Sequence, residues 1–384
     1  MTMKIMFVIN SLNVGGAERM LVKLANHDVF ASDDIMVVTL ISNGALAHAL
    51  AGKNHRVMSL GLSQNPLSWF RAFALTTLIR MHRPEVIHSW LYQSDLVASI
   101  GVFMRSKNPL IWSLRQSNLS AQHNKPLTRL CMRLCAALSS FKPAAVISCS
   151  KVAKLAHTQI GYAANKITII PNGFDLSQFC HDKSGAKNIR DELGLGQNVP
   201  IIGMVGRFDS QKNYAGFFQM ARIVLMSMPK AHFCMVGKDI TIENPELQAM
   251  MRHEDINGDQ IHFLGERKDI TKIMSAIDIL ALPSDGEAFP NVVGEAMACE
   301  TPSVVTDVGD CAAIVGETGR VVPPGDMAKF AEAVLDLLSK PKSERQSMGR
   351  AARARVKKLY DLDRVAKDYR DLYVKHVHAA KVSR

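Results

Sequence analysis

The 384-residue chain has no run of eighteen apolar residues, so no transmembrane helix is expected. It has no short-period repeat and no low-complexity segment, which argues against a repeat array or a disordered tail. Its seven cysteines are scattered without metal-site spacing. That excludes a structural zinc site and fits a reduced, cytoplasmic protein. No Gly-x-Gly-x-x-Gly follows a strand-like run, so a dinucleotide fingerprint is absent. Aromatic residues are only 6% of the chain and are sparse among the cations of its first half. With no nucleic-acid motif present, nucleic acid is not an expected partner. The opening segment, MTMKIMFVINSLNVGG, is apolar only from Ile5 to Ile9 and has no small-residue cleavage site. It is expected to form a first strand and not a signal peptide.

What is present is unevenly charged. Residues 1–190 contain 21 Lys+Arg and 8 Asp+Glu, whereas residues 191–384 contain 25 and 27. The whole positive excess therefore lies in the first half. An anionic membrane face or a phosphate-bearing acceptor would be drawn to it; the alternative is ordinary solubility charge. Arg71, Arg80, Arg83, Arg105, Lys107, Lys125, Arg129 and Arg133 are the cations that would face a bilayer, with Trp69, Phe70 and Phe73 as shallow anchors.

Short apolar runs alternate with helix-like periods along both halves. KIMFVI, DIMVVTLI, EVIHSW and AAVISCS read as strands of the first half. VPIIGMVGR, AHFCMVG, DILALPS and PSVVTD read as strands of the second. Such alternation predicts α/β domains with parallel sheets covered on both faces. The expected domains are residues 1–180 and 190–362, with the polar stretch from Asp175 to Gln197 as a linker. An amphipathic helix over 363–384, with Val365, Tyr369 and Tyr373 on one stripe, is expected to cross back to the first domain. The crevice between two such domains is the default site.

Three segments could carry chemistry. Gly15 and Gly16 follow the first strand and open a helix, a turn whose backbone N–H groups suit an anion. Arg207 and Lys212, in GRFDSQKN, follow a strand of the second half and could neutralise a diphosphate. The alternative for Arg207 is a surface pair with Asp209. In PSDGEAFPNVVGEA, Glu287 lies in a loop and Glu295 about one turn into the helix after it. Asn291 is expected to cap that helix. Carboxylates accept hydrogen bonds from hydroxyls, so cations beside the pair suggest a sugar on a nucleoside diphosphate.

With these segments in view, the chain resembles the retaining glycosyltransferases of the large family 4 type, which have the GT-B fold of two Rossmann-like domains facing across a crevice. The resemblance covers nearly all of the chain. It is carried by Gly15–Glu18, PNGFD (171–175), GRFDSQKN (206–213), the Glu287/Glu295 pair and VVPPGD (321–326). It implies transfer of a sugar from a nucleoside-diphosphate donor, UDP-sugar favoured, to a glycan or polyprenyl-diphosphate-linked acceptor, as in cell-surface polysaccharide or O-antigen synthesis. It implies that Gly15, Gly16, Arg207, Lys212, Glu287, Phe289, Pro290, Asn291, Val292 and Glu295 bind the donor. Glu287 would hold the sugar and Glu295 the ribose, while Arg207, Lys212 and Glu287 serve catalysis. His88, Arg115 and Asn172 are candidate acceptor or sugar contacts. No metal or other cofactor is expected, since the cations replace it and no Asp-x-Asp motif is evident. Peripheral contact with the cytoplasmic face of an anionic membrane is expected. The chain departs from the family pattern at Ala288, where relatives have Gly, and at Arg115, near which relatives often have His. A UDP-sugar 2-epimerase of similar fold and a non-catalytic transferase-like binding protein are the alternatives.

Overall fold

The computed structural model describes residues 2–51, 55–63, 66–103, 108–121 and 124–382. Arg105, Lys107 and the side chain of Trp69, named above as membrane-facing, lie outside the described residues. The chain divides into two compact units, Met1–Gly173 with Asp363–Arg384, and Phe174–Leu362.

The first unit is built on β1 (Lys4–Ser11), β2 (Asp34–Ser42), β3 (Arg56–Ser59), β4 (Val86–Trp90), β5 (Leu110–Leu114), β6 (Ala145–Ser148) and β7 (Ile167–Ile169). Their order is β3-β2-β1-β4-β5-β6-β7, and every neighbouring pair is parallel. Parallel strands need crossover helices, which bury both faces. Accordingly Ile5 through Ile9 are all fully buried, with no alternation of polar residues.

The second unit repeats the plan with β8 (Ile201–Val205), β9 (His232–Val236), β10 (Ile261–Phe263), β11 (Ile279–Leu282), β12 (Ser303–Thr306) and β13 (Arg320–Val322). Its order is β10-β9-β8-β11-β12-β13, again parallel. Each sheet therefore reverses its winding once, between β1 and β4 and between β8 and β11. Ligands of open parallel sheets bind beyond the carboxyl ends of the strands at such a reversal.

Two expectations need correction. The stretch read as a linker contains a helix, Lys183–Glu192, started by Asp182, whose side chain accepts from Gly185 N. The helix is anchored by Arg190, which is buried and pairs with Asp278 at 2.7 Å. The helix read from Trp69 to His82 is a 3-10 segment, Pro66–Phe73, followed by an α-helix, Ala74–His82.

The terminal helix Leu362–Val382 buries Val365, Tyr369, Tyr373 and Val377, four-residue steps along one stripe. Within the first unit Tyr373 OH meets His88 Nδ1 at 2.7 Å. Arg370 pairs with the fully buried carboxylate of Asp33, which also accepts from Met3 N.

A second buried histidine makes stability depend on pH. His157 Nδ1 lies 2.7 Å from the Ala153 carbonyl, and its Nε2 lies 2.7 Å from Tyr92 OH. Nδ1 must donate to the carbonyl, so Nε2 accepts and the ring is neutral. Burial lowers its pKa from 6.5 to about 4, the bond to Ala153 opposing. Below 6.5 the unfolded chain takes up a proton that the folded one refuses until about 4, so stability falls with pH through that window. The loss attributable to His157 is about 3 kcal/mol. His82 and His88, also lowered chiefly by burial, act in the same direction. Urea titrations between pH 7.5 and 4.5 should show this slope, and His157→Gln should flatten it; an unchanged slope would exclude the neutral buried ring.

Candidate active site

At the reversal of the second sheet, the loops after β8, β11 and β12 are tied together. The loop after β8 runs from Gly206 into a 3-10 turn, Ser210–Lys212, entered through Asp209, whose Oδ1 accepts from Gln211 N at 3.0 Å. Asn213 adopts a left-handed conformation, φ 54°, and caps the helix Tyr214–Ser227 by accepting from Gly216 N at 2.8 Å. This sharp corner sets Lys212 on the strand-end side. Asn213 Nδ2 donates to Asp285 Oδ1 at 3.1 Å, and Asp285 N donates to the Gln211 carbonyl at 2.8 Å. The first two loops are thereby locked in register.

Glu287 lies in this frame. Its Oε1 accepts from Lys212 Nζ at 2.6 Å and from Ser284 Oγ at 2.9 Å. Ser284 is held by its carbonyl, which accepts from Thr306 Oγ1 at 2.5 Å. The third loop presses on the other side: Asp310 N donates to the Ala288 carbonyl at 3.0 Å. Gly309, at φ +56°, allows this approach, because a Cβ there would run into the Glu287 carbonyl. The side chains of Lys212 and Glu287 are 19% and 11% exposed.

Arg207 is differently placed. It is 66% exposed and pairs with Asp209 through Nε at 3.1 Å and Nη2 at 2.8 Å. Burial opposes ionisation of Asp209, but the bonds from Arg207 and Gln211 N outweigh it and hold the carboxyl below its usual range. An exposed pair of this kind is worth roughly 0–1 kcal/mol, so an anionic ligand can take Arg207 over at little cost. Asp285 is pushed upward by burial, partly offset by the bond from Asn213.

The helix after β11, Asn291–Ala298, begins where expected, but its cap is not Asn291. Asn291 is the first helical residue, and Pro290 holds the capping position without a side-chain acceptor. Glu295 is half-buried one turn further on. Phe289, expected beside a donor, has its ring packed between Phe174 and Tyr360 at centroid distances of 6.2 and 5.6 Å. Its side chain therefore anchors the loop, and only its backbone can face a ligand. Cys299, next to this helix, is pushed up to about 12 chiefly by burial, so it is a thiol and not a nucleophile.

In the first unit the turn after β1 is as read: Gly15 precedes the helix Gly16–Ala25 in an extended conformation. His88 is a correction. It is fully buried in β4, bonded to Tyr373 and surrounded by the rings of Phe7, Trp90 and Tyr369. Enclosed in this way it cannot touch an acceptor. Arg115 and Asn172 do come together, with Nη1 donating to Oδ1 at 2.9 Å, while the guanidinium lies 3.8 Å over the Trp90 ring. Sequence reading missed a second polar chain at the reversal of this sheet. Ser94 Oγ donates to Asn10 Oδ1 at 2.8 Å, and Asn10 Nδ2 donates to Gln93 Oε1 at 3.0 Å. Its one available signal was polar residues at the end of one apolar strand and just past another.

Among the described residues no group of three or more His, Cys, Asp or Glu could hold a metal ion. Comparison with known proteins matches both units. A family model described as "Glycosyltransferase Family 4" covers residues 14–178, and one described as "Glycosyl transferases group 1" covers residues 199–340. The chain belongs to the family 4 glycosyltransferases, with the GT-B fold. Its relatives include a D-inositol 3-phosphate glycosyltransferase of Corynebacterium urealyticum, 29% identical over 49% of this chain and 47% of that one. An N,N'-diacetylbacillosaminyl-diphospho-undecaprenol alpha-1,3-N-acetylgalactosaminyltransferase of Campylobacter jejuni is 30% identical over 56% of each chain. The matched segment spans about half the length of these relatives. Among solved structures, Alr3699/HepE of Anabaena in complex with UDP-glucose has a TM-score of 0.83 at 22% identity, covering 97% of this chain and all of the other. In this family 4 member the carboxylate–ammonium pair makes a direct prediction. A double-mutant cycle of Lys212→Ala and Glu287→Ala in unfolding free energy should give a coupling of about 1–3 kcal/mol. A coupling near zero would mean that the pair is not formed in solution.

Proposed function

We propose that the protein is a retaining glycosyltransferase that moves a sugar from a nucleoside-diphosphate donor, UDP-sugar favoured, to a hydroxyl of a glycan or polyprenyl-diphosphate-linked acceptor in cell-surface polysaccharide synthesis. The observation that carries this reading is the Lys212–Glu287 pair, clamped by three loops at the reversal of the second sheet. A diphosphate offered there can draw Lys212 and Arg207 away from Glu287 and Asp209. Glu287, still held by Ser284, is then released to accept hydrogen bonds from the donor sugar. Glu295, deeper in the following helix, is the acceptor for the ribose hydroxyls. The first turn of that helix, with Pro290, Asn291 and Val292, and the backbone of Gly15 and Gly16 complete the donor contacts. UDP is supported by the Anabaena relative complexed with UDP-glucose, and a lipid-linked acceptor by the name of the Campylobacter relative.

The chemistry follows from where charge develops. The bond from the anomeric carbon to the diphosphate breaks, and Lys212 and Arg207 stabilise the departing oxygens. The acceptor hydroxyl bonds to that carbon on the same face, and its proton passes to a departing diphosphate oxygen. No metal is needed where two cations supply the charge, so chelator treatment should leave the rate unchanged. The first unit holds the acceptor in this reading, working at a membrane face.

A donor panel with mass-spectrometric detection of products, using lipid-linked sugars as acceptors, tests the assignment. Nucleotide release with no acceptor present would instead favour an epimerase. Lys212→Ala and Arg207→Ala should each lower turnover by about 10²-fold. Glu295→Ala should weaken free UDP in calorimetry, whereas Glu287→Ala should cost turnover more than UDP affinity. Equal weakening of UDP by both would refute the division of roles.

A further inference from the structure

The helices Ala74–His82, Tyr92–Phe103 and Pro126–Leu138 lie side by side on one face of the first sheet. Leu75 and Ile79, Val97 and Ala98, and Met132 and Cys135 bury their inner sides against it. The last of the three is apolar on its outer side as well. Leu127, Leu130 and Leu134 follow at steps of three and four, a single stripe, and are 54%, 53% and 46% exposed. Phe141, just past the helix, is 65% exposed. Three leucines in line on an outer face are a patch and not scattered exposure, and patches of this kind mark contact with another molecule or a membrane.

The charge around the stripe says which. From Ile35 to Phe174 the sequence has 15 Lys+Arg and only two acids, Glu85 and Asp95. Neither acid offers negative charge to this face: Asp95 is fully buried against Ser89, and Glu85 pairs with Lys381 at 2.7 Å. Lys125 and Arg133 are exposed beside the leucines, with Arg129 half-buried between them. A nucleic acid would find no use for a leucine stripe. A protein partner or a second copy would ordinarily need some acid to pair across the rim. An apolar ridge with cations at its sides and no carboxylate matches the boundary between anionic headgroups and acyl chains.

We infer that the outer face of the helix Pro126–Leu138 docks the protein on an anionic lipid bilayer, with Leu127, Leu130 and Leu134 inserted and Lys125, Arg129 and Arg133 at the headgroups. This names a surface behind the membrane contact of the proposed function, in addition to Phe70 and Phe73, the anchors expected from sequence, which are 69% and 50% exposed. It rests on exposure and charge alone, so it stands or falls separately from the transferase reading.

Flotation with two kinds of vesicle is the test, phosphatidylcholine alone and phosphatidylcholine mixed two-to-one with phosphatidylglycerol, each at low and at molar salt. The full chain should float with the anionic vesicles at low salt only. Replacing Lys125, Arg129 and Arg133 together by Gln should lower partitioning on the order of 10²-fold. Replacing Leu127, Leu130 and Leu134 together by Ser should abolish flotation. Leu130→Trp should show a blue shift with anionic vesicles and quenching by brominated lipid. Circular dichroism melting of each variant separates lost binding from lost folding. Failure of the wild type to float on anionic vesicles would overturn the inference, as would leucine variants that float like wild type. A dimer in light scattering that Leu130→Asp disperses, without flotation, would assign the stripe to a second copy instead. UDP titration of the same variants should be unchanged; loss of UDP binding in the wild type would count against the donor site and not against this surface.

Discussion

A parallel strand pair cannot be closed by a hairpin. The chain must travel back to the start of the sheet before the next strand begins, and the return path is a helix lying on one face. Both sheets here are parallel throughout their described strands, so both faces are buried and the strand ends are the places left for polar chemistry. All return loops at the carboxyl edge leave from the same end. Where the winding changes sides, adjacent loops separate and leave room for a ligand. Lys212, Glu287 and the loop holding Gly309 come from three separate strand ends, yet they meet because this constraint collects them.

Placing a carboxylate at a strand end that is otherwise apolar has an electrostatic cost. Glu287 offsets it with an ammonium and a hydroxyl, and the surrounding frame is made of bonds that do not involve Glu287, Asn213 to Asp285 and Thr306 to the Ser284 carbonyl. That division matters for function. That frame can persist while the Lys212–Glu287 pair exchanges partners, so the site can accept a diphosphate without rebuilding its loops. Removing Lys212 alone, by contrast, would leave a poorly solvated charge behind.

The two units use the same architecture with different charge. The first carries the positive excess, and the helix layer on one side of its sheet is nearly free of acids. On the other side the terminal helix is tied down by polar contacts that reach far along the chain, Tyr373 to His88 and Arg370 to Asp33. The burial of Asp33 makes its pairing specific: without Arg370 the carboxylate would lose its cation and keep the bond from Met3 N.

Much of this was legible in the order of residues. Continuous Ile/Val runs separated by helical periods determine parallel α/β units, because a strand buried on both faces has no polar positions to alternate. Gly15–Gly16, Arg207, Lys212, Glu287 and Glu295 stand at strand ends or in the helix that follows one, which local pattern alone can reveal. Helices with an unusual face were missed. Lys183–Glu192 buries only Gly185, Ile189 and Arg190, so it reads as polar linker. Tyr92–Phe103 has Gln93, Ser94, Asp95 and Ser99 spread around it, so no apolar stripe stands out. Burial of single polar side chains was decided only by the tertiary structure. His88 and Tyr373 are 285 positions apart, and Phe289 is enclosed by Phe174 and Tyr360, residues far from it in sequence. The partner of Lys212 likewise depended on folding, whereas Asp209, two residues from Arg207, was already an alternative in the sequence. Local sequence sets which groups a strand end presents, but the dielectric and the neighbours each one meets come from loops that only the folded sheet brings together.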